Sequence, residues 1–568
     1  MINDQDLILP KGYSDFRKLR LDSKVYVDKS FLVHRVLNDS SEVILIPRPR
    51  RFGKTLNLSM LRYFFEKLPQ AQEQAERKAL FDGLKITQDA KSMQHFGQYP
   101  VLFVSFKDIK GCHSWNDMYD KIKNLLPDLY LQYLYLSESS ILNEVELKKF
   151  RAVFKRQASK AVLEDSLKDL CLYLKKMHQK NVLLLIDEYD TPMHEAYLGG
   201  YHQDAMPFFR NFLSAALKDN NSIFRVVLTG IMRVAKESIF SGLNNLGVYT
   251  LTQHYYASDF GFTEQEVTDL TTRFGCLGDL EDIKYWYNGY QFADQVIYNP
   301  WSVMAYLSNR KDGFQPYWAN TAKADLIEQA LLNNPSDLKE DLEHLLHGGS
   351  LERRIKDNVT LDTLKEDPDM VWSLLLFSGY LKAERTFYVD ETDLYAELKI
   401  PNLELRAHLK SLVQSWFLKF VPTGTSVDKV IRAFLSGTEE ELVYYLESIL
   451  LHHVSFLDAQ EHFFHGLVLG LLVNLSPRYA VHSNRESGFG RCDVVLTPKN
   501  TQDMGIIIEF KVVRKKSKES AAQALKSAME QIKTRDYMVH LKDKGITHMR
   551  LLALAFSSKR VAIQIEHV

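Results

Sequence analysis

The chain has 568 residues, more than one hydrophobic core usually spans, so several domains are expected. Hydrophobic residues make up 45% and charged residues 25%, which are ordinary globular values. The net charge of −1 excludes a protein that coats nucleic acid over its whole surface, so any such contact must be local.

In chain order, the N-terminal "MINDQDLILPKG" has neither a basic head nor an apolar run, so it does not read as a signal peptide. "EVILIP" (42–47) is a short apolar run that leads into Gly53-Lys54-Thr55, and "LNLSMLRYFFEKL" (56–68) carries apolar residues at helical spacing. "YPVLFVSF" (99–106), "NVLLLIDEYD" (181–190), "SIFRVVLTG" (222–230) and "VYTLTQHY" (248–255) read as further strands, with helical stretches such as "DAMPFFRNFLSAALKD" (204–219) between them. Strands alternating with helices predict an α/β fold with a parallel sheet covered on both faces. From about 261 to 440 the chain is rich in helix-like segments and aromatics, and "GFTEQEVTDLTTRF" opens with the capping pair Thr263 and Glu266. This stretch reads as a helical lid and connector. In the last part, "DAQEHFFHGLVLGLLVNL" (458–475) and "ESAAQALKSAMEQIKTRDY" (519–537) read as helices. "YAVHSN" (479–484), "CDVVLTP" (492–498), "GIIIEFKVV" (505–513), "MRLLALAFSS" (549–558) and "VAIQIE" (561–566) read as strands. Three domains are expected, 1–260, 261–440 and 441–568. No apolar stretch approaches the ~18 residues of a membrane span. Cys112, Cys171, Cys276 and Cys492 form no C-x-x-C pair. A soluble, cytoplasmic protein with no membrane partner is the expectation.

Two constellations carry chemistry. The first is Gly53-Lys54-Thr55 after a strand, with Asp187-Glu188 closing a later apolar strand. A triphosphate needs backbone N–H donors, a cation on its outer oxygens and a held magnesium. Gly53 allows close backbone approach, Lys54 supplies charge, and Thr55 and Asp187 suit Mg²⁺, while Glu188 suits polarising the attacking water. The phosphate-loop pattern wants glycine five residues before Gly53, and that position holds Arg48. Pro49 makes Arg48 extended, and Arg48, Arg50 and Arg51, with Phe52 completing the loop, are candidates to fork onto phosphate.

The second constellation is Asp493 on one strand, with Glu509 and Lys511 on the next. Strand period is two, so Glu509 and Lys511 project from one face and Phe510 from the other. Two carboxylates can hold Mg²⁺ or Mn²⁺, which activates water toward a phosphodiester. Glu461 is the candidate third carboxylate and Glu486 competes with it. Residues 481–540 hold eleven Lys/Arg and seven Asp/Glu, a balance of +4. Arg514, Lys515 and Lys516 follow the Lys511 strand and are candidates to track a phosphate backbone.

"VYVDKSFLVHRVL" (25–37), "IPRPRRFGKTLNLSML" (46–61), "LLLIDEYDTPM" (183–193), "VVLTGIMRVAKESIFSGLNNL" (226–246), "WYNGYQF" (286–292) and "YNPWSV" (298–303) together resemble bacterial AAA-ATPase-like proteins that carry a C-terminal PD-(D/E)XK nuclease-like domain. The resemblance covers most of the chain. It implies a P-loop core whose arginine-rich loop lacks the first glycine, with an additional strand between the loop strand and the acidic strand, a place that fits "YPVLFVSF". It also implies that Thr229 and Arg233 sense the γ-phosphate. "SNRESGFGRCD" and "IIIEFK" match the nuclease pattern at Asp493, Glu509 and Lys511, with Cys492 where the family has proline. Gln531 and Tyr537 match positions such domains often carry, and Gln531 would touch a phosphate or Lys511. The implied activity is ATP hydrolysis coupled to metal-dependent cleavage of nucleic acid, DNA ahead of RNA, with ATP and Mg²⁺ as cofactors. The alternative is an ATP-dependent switch or remodeller whose C-terminal domain binds without cutting. No arginine finger is assignable, so a homo-oligomer stays open.

Overall fold

The computed structural model describes residues 9–22, 25–232, 245–318, 337–356, 367, 369–418, 427–453, 468, 472, 475, 478–487, 490–513, 520–534, 537–557 and 560–568. The chain divides into two units, Met1–Ala330 with Ser350–Arg406, and Leu331–Gly349 with Ala407–Val568. Among the described residues no helix is long and apolar enough to cross a membrane.

In the first unit, β1 (Val43–Pro47), β2 (Val101–Ser105), β3 (Val182–Asp187), β4 (Ile223–Gly230) and β5 (Leu246–Val248) form one parallel sheet in the order β2-β3-β4-β1-β5. Every residue of β1 and of β3 is buried. Coverage on both faces is why these strands read as unbroken apolar runs. The strand between β1 and β3 is β4, and this corrects the expectation from chain order. "YPVLFVSF" becomes β2 and lies outside β3. Parallel neighbours are joined by long crossovers, so position in the chain does not set position in the sheet. The fifth strand also lies earlier than expected, since β5 covers Leu246–Val248 and shares only Val248 with the expected 248–255. Beyond it the Tyr249 carbonyl accepts from the Arg48 guanidinium at 2.7 Å, so a side chain takes an acceptor that a strand continued past Val248 would have paired.

The helix Glu264–Arg273 starts at the expected capping box, with the Thr263 hydroxyl and the Glu266 carboxylate each taking the other's backbone N–H. The stretch expected to be helical also contains two small sheets. β6 (Phe262–Thr263), β7 (Tyr290–Phe292) and β8 (Gln295–Tyr298) form one in the order β6-β8-β7. β9 (Leu351–Arg354), β10 (Lys382–Val389) and β11 (Asp393–Lys399) form the other in the order β10-β11-β9. The β10–β11 hairpin turns through Asp390 and Glu391, both at left-handed φ (51° and 61°), without the Asn-Gly pair that usually announces such a turn. Its strands mix charged with apolar residues and are largely exposed or half-exposed, so no apolar run marks them.

In the second unit, β12 (Tyr479–Ser487), β13 (Gly490–Pro498), β14 (Gly505–Val512), β15 (Met549–Ser557) and β16 (Arg560–His567) form a sheet in that order. Only β14 and β15 pair in parallel, and the chain between them includes the helix Ala521–Thr534. That helix packs Ala528, Met529 and Ile532 onto Ile507, Leu551 and Ala553, the face its periodicity predicts. At the sheet edge, Glu447 and Glu439 of the helix Glu439–His453 accept from the Val561 and Ile565 N–H groups at 3.1 and 2.8 Å. A helix thereby covers donors that would otherwise invite another strand. The expected helix 458–475 falls largely outside the described residues.

One buried acid in the first unit lies apart from the sheet. Glu404 is fully buried, and its oxygens accept from the Ser302 hydroxyl at 2.7 Å and the Trp318 N–H at 2.6 Å. Burial pushes its pKa up to about 7, against the lowering effect of those two donors. The folded state therefore holds this proton more tightly than the unfolded chain. The associated stability is complete below about pH 4.5 and is lost as pH rises through about 7. Urea unfolding should show the wild type losing on the order of 2 kcal/mol more than Glu404→Gln between about pH 5 and pH 8.5.

Candidate active sites

Gly53, at φ 83°, caps the helix Lys54–Phe65 and turns β1 into it. The left-handed conformation there is one that glycine adopts without cost. The Thr55 hydroxyl donates to Asp187 Oδ2 at 2.8 Å, and the Thr229 hydroxyl donates to Asp187 Oδ1 at 2.9 Å. Ser105, at the end of β2, adds a longer contact to Oδ2 at 3.4 Å. The turn and the acidic strand end therefore meet, and Asp187 sits fully buried at their junction. Lys54 is buried too, and its ammonium donates to the Arg48 and Pro49 carbonyls at 2.9 Å each. Burial lowers its pKa, while the nearby carboxylates of Glu188, Asp187 and Asp190 act the other way. Glu188 follows Asp187 at φ 50°, a left-handed conformation rare for a side-chain-bearing residue, and Thr191 donates to its carboxylate at 3.2 Å. Arg50, Arg51, Phe52, Lys54, Thr55 and Glu188 all line one cleft of about 950 Å³.

The loop arginines differ in fate. The Arg48 guanidinium is fully buried and donates to the Pro47, Tyr249 and Tyr256 carbonyls. It lies over the Phe260 and Phe292 rings at 5.4 and 5.3 Å. Its expected place on phosphate is corrected here, because its donors are directed to backbone carbonyls inside the protein. Arg51, at φ 69°, is exposed and stacks over Trp301 at 4.2 Å. Arg50 is exposed, and its carbonyl accepts from Trp318 Nε1 at 3.2 Å. Phe52 is buried against Tyr290 and Phe292. Pro49 packs against Gly379, where an added Cβ would come within 2.8 Å of the proline ring. Arg233 lies outside the described residues.

Sequence reasoning missed Ser105, Asp190 and His194. Asp190 Oδ2 accepts from the Ile231 and Met232 N–H groups at 2.8 and 3.0 Å, holding the segment that follows Thr229. His194 Nε2 lies 3.7 Å from the same oxygen, and burial keeps its pKa below the usual imidazole range. The available signal was position alone, one polar residue at a strand end and two just past another.

The donor set fits a hard cation. Thr55 and Asp187 present oxygens side by side, as a magnesium that shares phosphate oxygens requires. Among the described residues no group of three or more His, Cys, Asp or Glu could hold a metal by itself.

In the second unit, Glu509 is buried at 2% exposure on β14. The Lys511 ammonium donates to Glu509 Oε1 at 3.2 Å and to Gln531 Oε1 at 2.8 Å. Ile507, Glu509 and Lys511 share a face, and Ile507 packs under the helix that carries Gln531. Phe510 points to the other face and meets Phe556 at 6.1 Å. Val494 pairs with Ile508 across β13 and β14, and Asp493 and Glu509 are the next residues along those two strands. The side chains of Asp493, Glu486 and Tyr537 lie outside the described residues, as do Glu461, Arg514, Lys515 and Lys516.

Residues 10–240 match the family described as Predicted AAA-ATPase, and residues 459–566 match the PD-(D/E)XK nuclease superfamily. The chain joins an AAA-ATPase-like domain to a PD-(D/E)XK-superfamily domain. It is similar, at 27% identity over 425 residues, to an uncharacterized protein in the vnfD 5′ region of Azotobacter chroococcum mcd 1, covering 74% of this chain and 72% of that one. Among solved structures, the Aeropyrum pernix ORC2 protein (ADPNP–ADP complexes) is similar at 12% identity and a TM-score of 0.23, covering 69% of this chain and 98% of that one. A likeness that slight carries no argument. The AAA-ATPase-like match ends at residue 240, yet Tyr249, Tyr256, Trp301 and Trp318 beyond it all contact the loop of that domain.

Arg48→Gly would restore the common loop pattern and still weaken the domain. It would leave the Tyr249 and Tyr256 carbonyls without their donor, at an expected loss of about 2–4 kcal/mol. Thermal unfolding should show the loss, and titration with a fluorescent ATP analogue should show weaker binding.

Proposed function

We propose that the chain binds and hydrolyses ATP in the AAA-ATPase-like domain and cleaves nucleic-acid phosphodiesters, with DNA as the expected substrate, in the C-terminal domain. For the ATPase, support comes from the convergence of Thr55, Ser105 and Thr229 on the buried Asp187. Lys54 would leave the Arg48 and Pro49 carbonyls for the triphosphate, and Arg50 and Arg51 stand at the cleft to add charge. Glu188 would orient and deprotonate the attacking water. Thr229 holds Asp187 in place and would register the outer phosphate.

For the nuclease, the observation that carries the reading is the Lys511 ammonium held between Glu509 and Gln531. A buried glutamate, a lysine two residues on and an aspartate on the neighbouring strand are the groups such hydrolysis needs. A bound Mg²⁺ or Mn²⁺ supplies a lowered water pKa and neutralises developing charge. Asp493 and Glu509, with Glu461 as third candidate, would hold it. Lys511 would orient the water or stabilise charge in the transition state, and Gln531 fixes Lys511. Arg514, Lys515 and Lys516 would track the backbone. In this reading residues 1–260 carry ATP chemistry, 261–440 the lid and connector, and 441–568 phosphodiester chemistry. ATP turnover gates or positions the cutting.

Cleavage of circular and linear DNA and of RNA, with Mg²⁺ or Mn²⁺ and with or without ATP, tests the reading. Lys511→Ala should reduce cutting by roughly 100-fold or more, Gln531→Ala by about tenfold, and chelation by EDTA should abolish it. Lys54→Ala should abolish ATP turnover and, with it, any stimulation of cutting by ATP. Intact ATP turnover with no cutting of any substrate would instead favour a switch whose C-terminal domain only binds.

A further inference from the structure

The contacts around Glu404 form a closed circuit with the phosphate loop. Glu404 accepts from the Ser302 hydroxyl and from the Trp318 N–H. Trp318 Nε1 donates to the Arg50 carbonyl at 3.2 Å. Trp301, next to Ser302, lies under the Arg51 guanidinium and donates from Nε1 to the Tyr317 carbonyl at 3.2 Å. Two consecutive loop residues are thus each held by a tryptophan, and one carboxylate takes both the Trp318 backbone N–H and the side-chain hydroxyl of Ser302 beside Trp301. Trp318 is itself almost fully buried, with its ring edge-on to Tyr380 at 5.3 Å.

Glu404 stands in the first turn of the helix Leu403–Leu418. That helix starts in the first unit and continues past Arg406 into the segment that belongs to the second. A buried acid is a costly way to fasten a helix, since an apolar side chain would pack there without desolvating a carboxyl. An acid does provide directional bonds that are either made or broken, and such bonds give a joint two discrete arrangements.

We propose that Glu404 is the positioning residue through which the state of the phosphate loop reaches the helix Leu403–Leu418, with Trp318 as its contact to the loop. The inference rests on the reading of the cleft as an ATP site. Lys54 now holds the loop shut on itself through the Arg48 and Pro49 carbonyls. Engaging a triphosphate draws Lys54 away and shifts the adjoining Arg50 carbonyl. Trp318 follows that carbonyl, and Glu404 carries the shift into the start of the helix. Nucleotide binding is thereby passed along the chain toward the C-terminal domain.

Hydrogen–deuterium exchange on the full chain, with and without Mg²⁺ and a slowly hydrolysed ATP analogue, tests this. In the wild type, peptides covering 403–418 should change exchange rate by about threefold or more on nucleotide addition. Glu404→Ala should abolish that response while nucleotide affinity stays within about threefold. Glu404→Gln should preserve it, because a carboxamide accepts from the Trp318 N–H and donates to the Ser302 hydroxyl oxygen. If Glu404→Ala does not fold, Ser302→Ala and Trp318→Phe take its place, and each should weaken the response. Nucleotide bound with no change in 403–418, or a full response in the disrupted variants, overturns the proposal. No nucleotide binding by the wild type is visible in the same titration as absent affinity, and it overturns the ATP-site reading and the inference with it.

Discussion

The first unit depends on how one carboxylate is kept inside it. Asp187 is fully buried at the end of β3, and an anion there is tolerated only where hydrogen-bond donors replace its water. Those donors come from three separate parts of the chain, Thr55 from the phosphate loop, Ser105 from β2 and Thr229 from β4. Meeting that requirement places β2 and β4 on the two sides of β3 and sets the loop helix above it. The strand order and the site are therefore one arrangement seen at two scales. Asp190 extends the same logic by one turn, holding the backbone that follows Thr229.

The missing loop glycine is handled by a different physical device. Glycine shapes such a loop by tolerating a tight turn. Here Arg48 shapes it from inside, through backbone carbonyls and two aromatic rings. The carbonyls it takes belong to a segment some two hundred residues later in the chain. One consequence is that the loop cannot move without disturbing the segment that carries Tyr249 and Tyr256. Another is that the outward charges of Arg50 and Arg51 remain at the cleft while Arg48 acts as a fastener. Trp318 and Trp301, which hold these two residues, complete the enclosure.

Legibility from sequence followed the strength of the local signal. β1, β3, β4 and β14 were readable because burial on both faces demands continuous apolar runs. The Thr263–Glu266 capping box was readable because both partners lie within one turn. Glu509, Lys511 and Gln531 were readable as candidates, and strand period alone put the first two on one face. The β10–β11 hairpin was not readable, since its turn lacks the usual residues and its strands are half-exposed. Ser105, Asp190 and Glu404 carry no motif, and their significance comes only from what they touch.

By itself the sequence determined the element types, the presence of a loop lysine and a strand-end aspartate, and the pairing of an ATPase-like with a nuclease-like domain. The element types rest on contacts between near neighbours in the chain or on periodicities of two and 3.6 residues, and the domain pairing rests on the resemblance of the motifs to known families. Only the tertiary structure decided that β4 rather than β2 separates the loop strand from the acidic strand, that Arg48 turns inward, and that Lys511 is clasped by Gln531. The physical reason is the same in each case. Crossovers and buried polar groups are settled by which distant donors and acceptors can satisfy one another once the core has closed, and no local pattern encodes that choice.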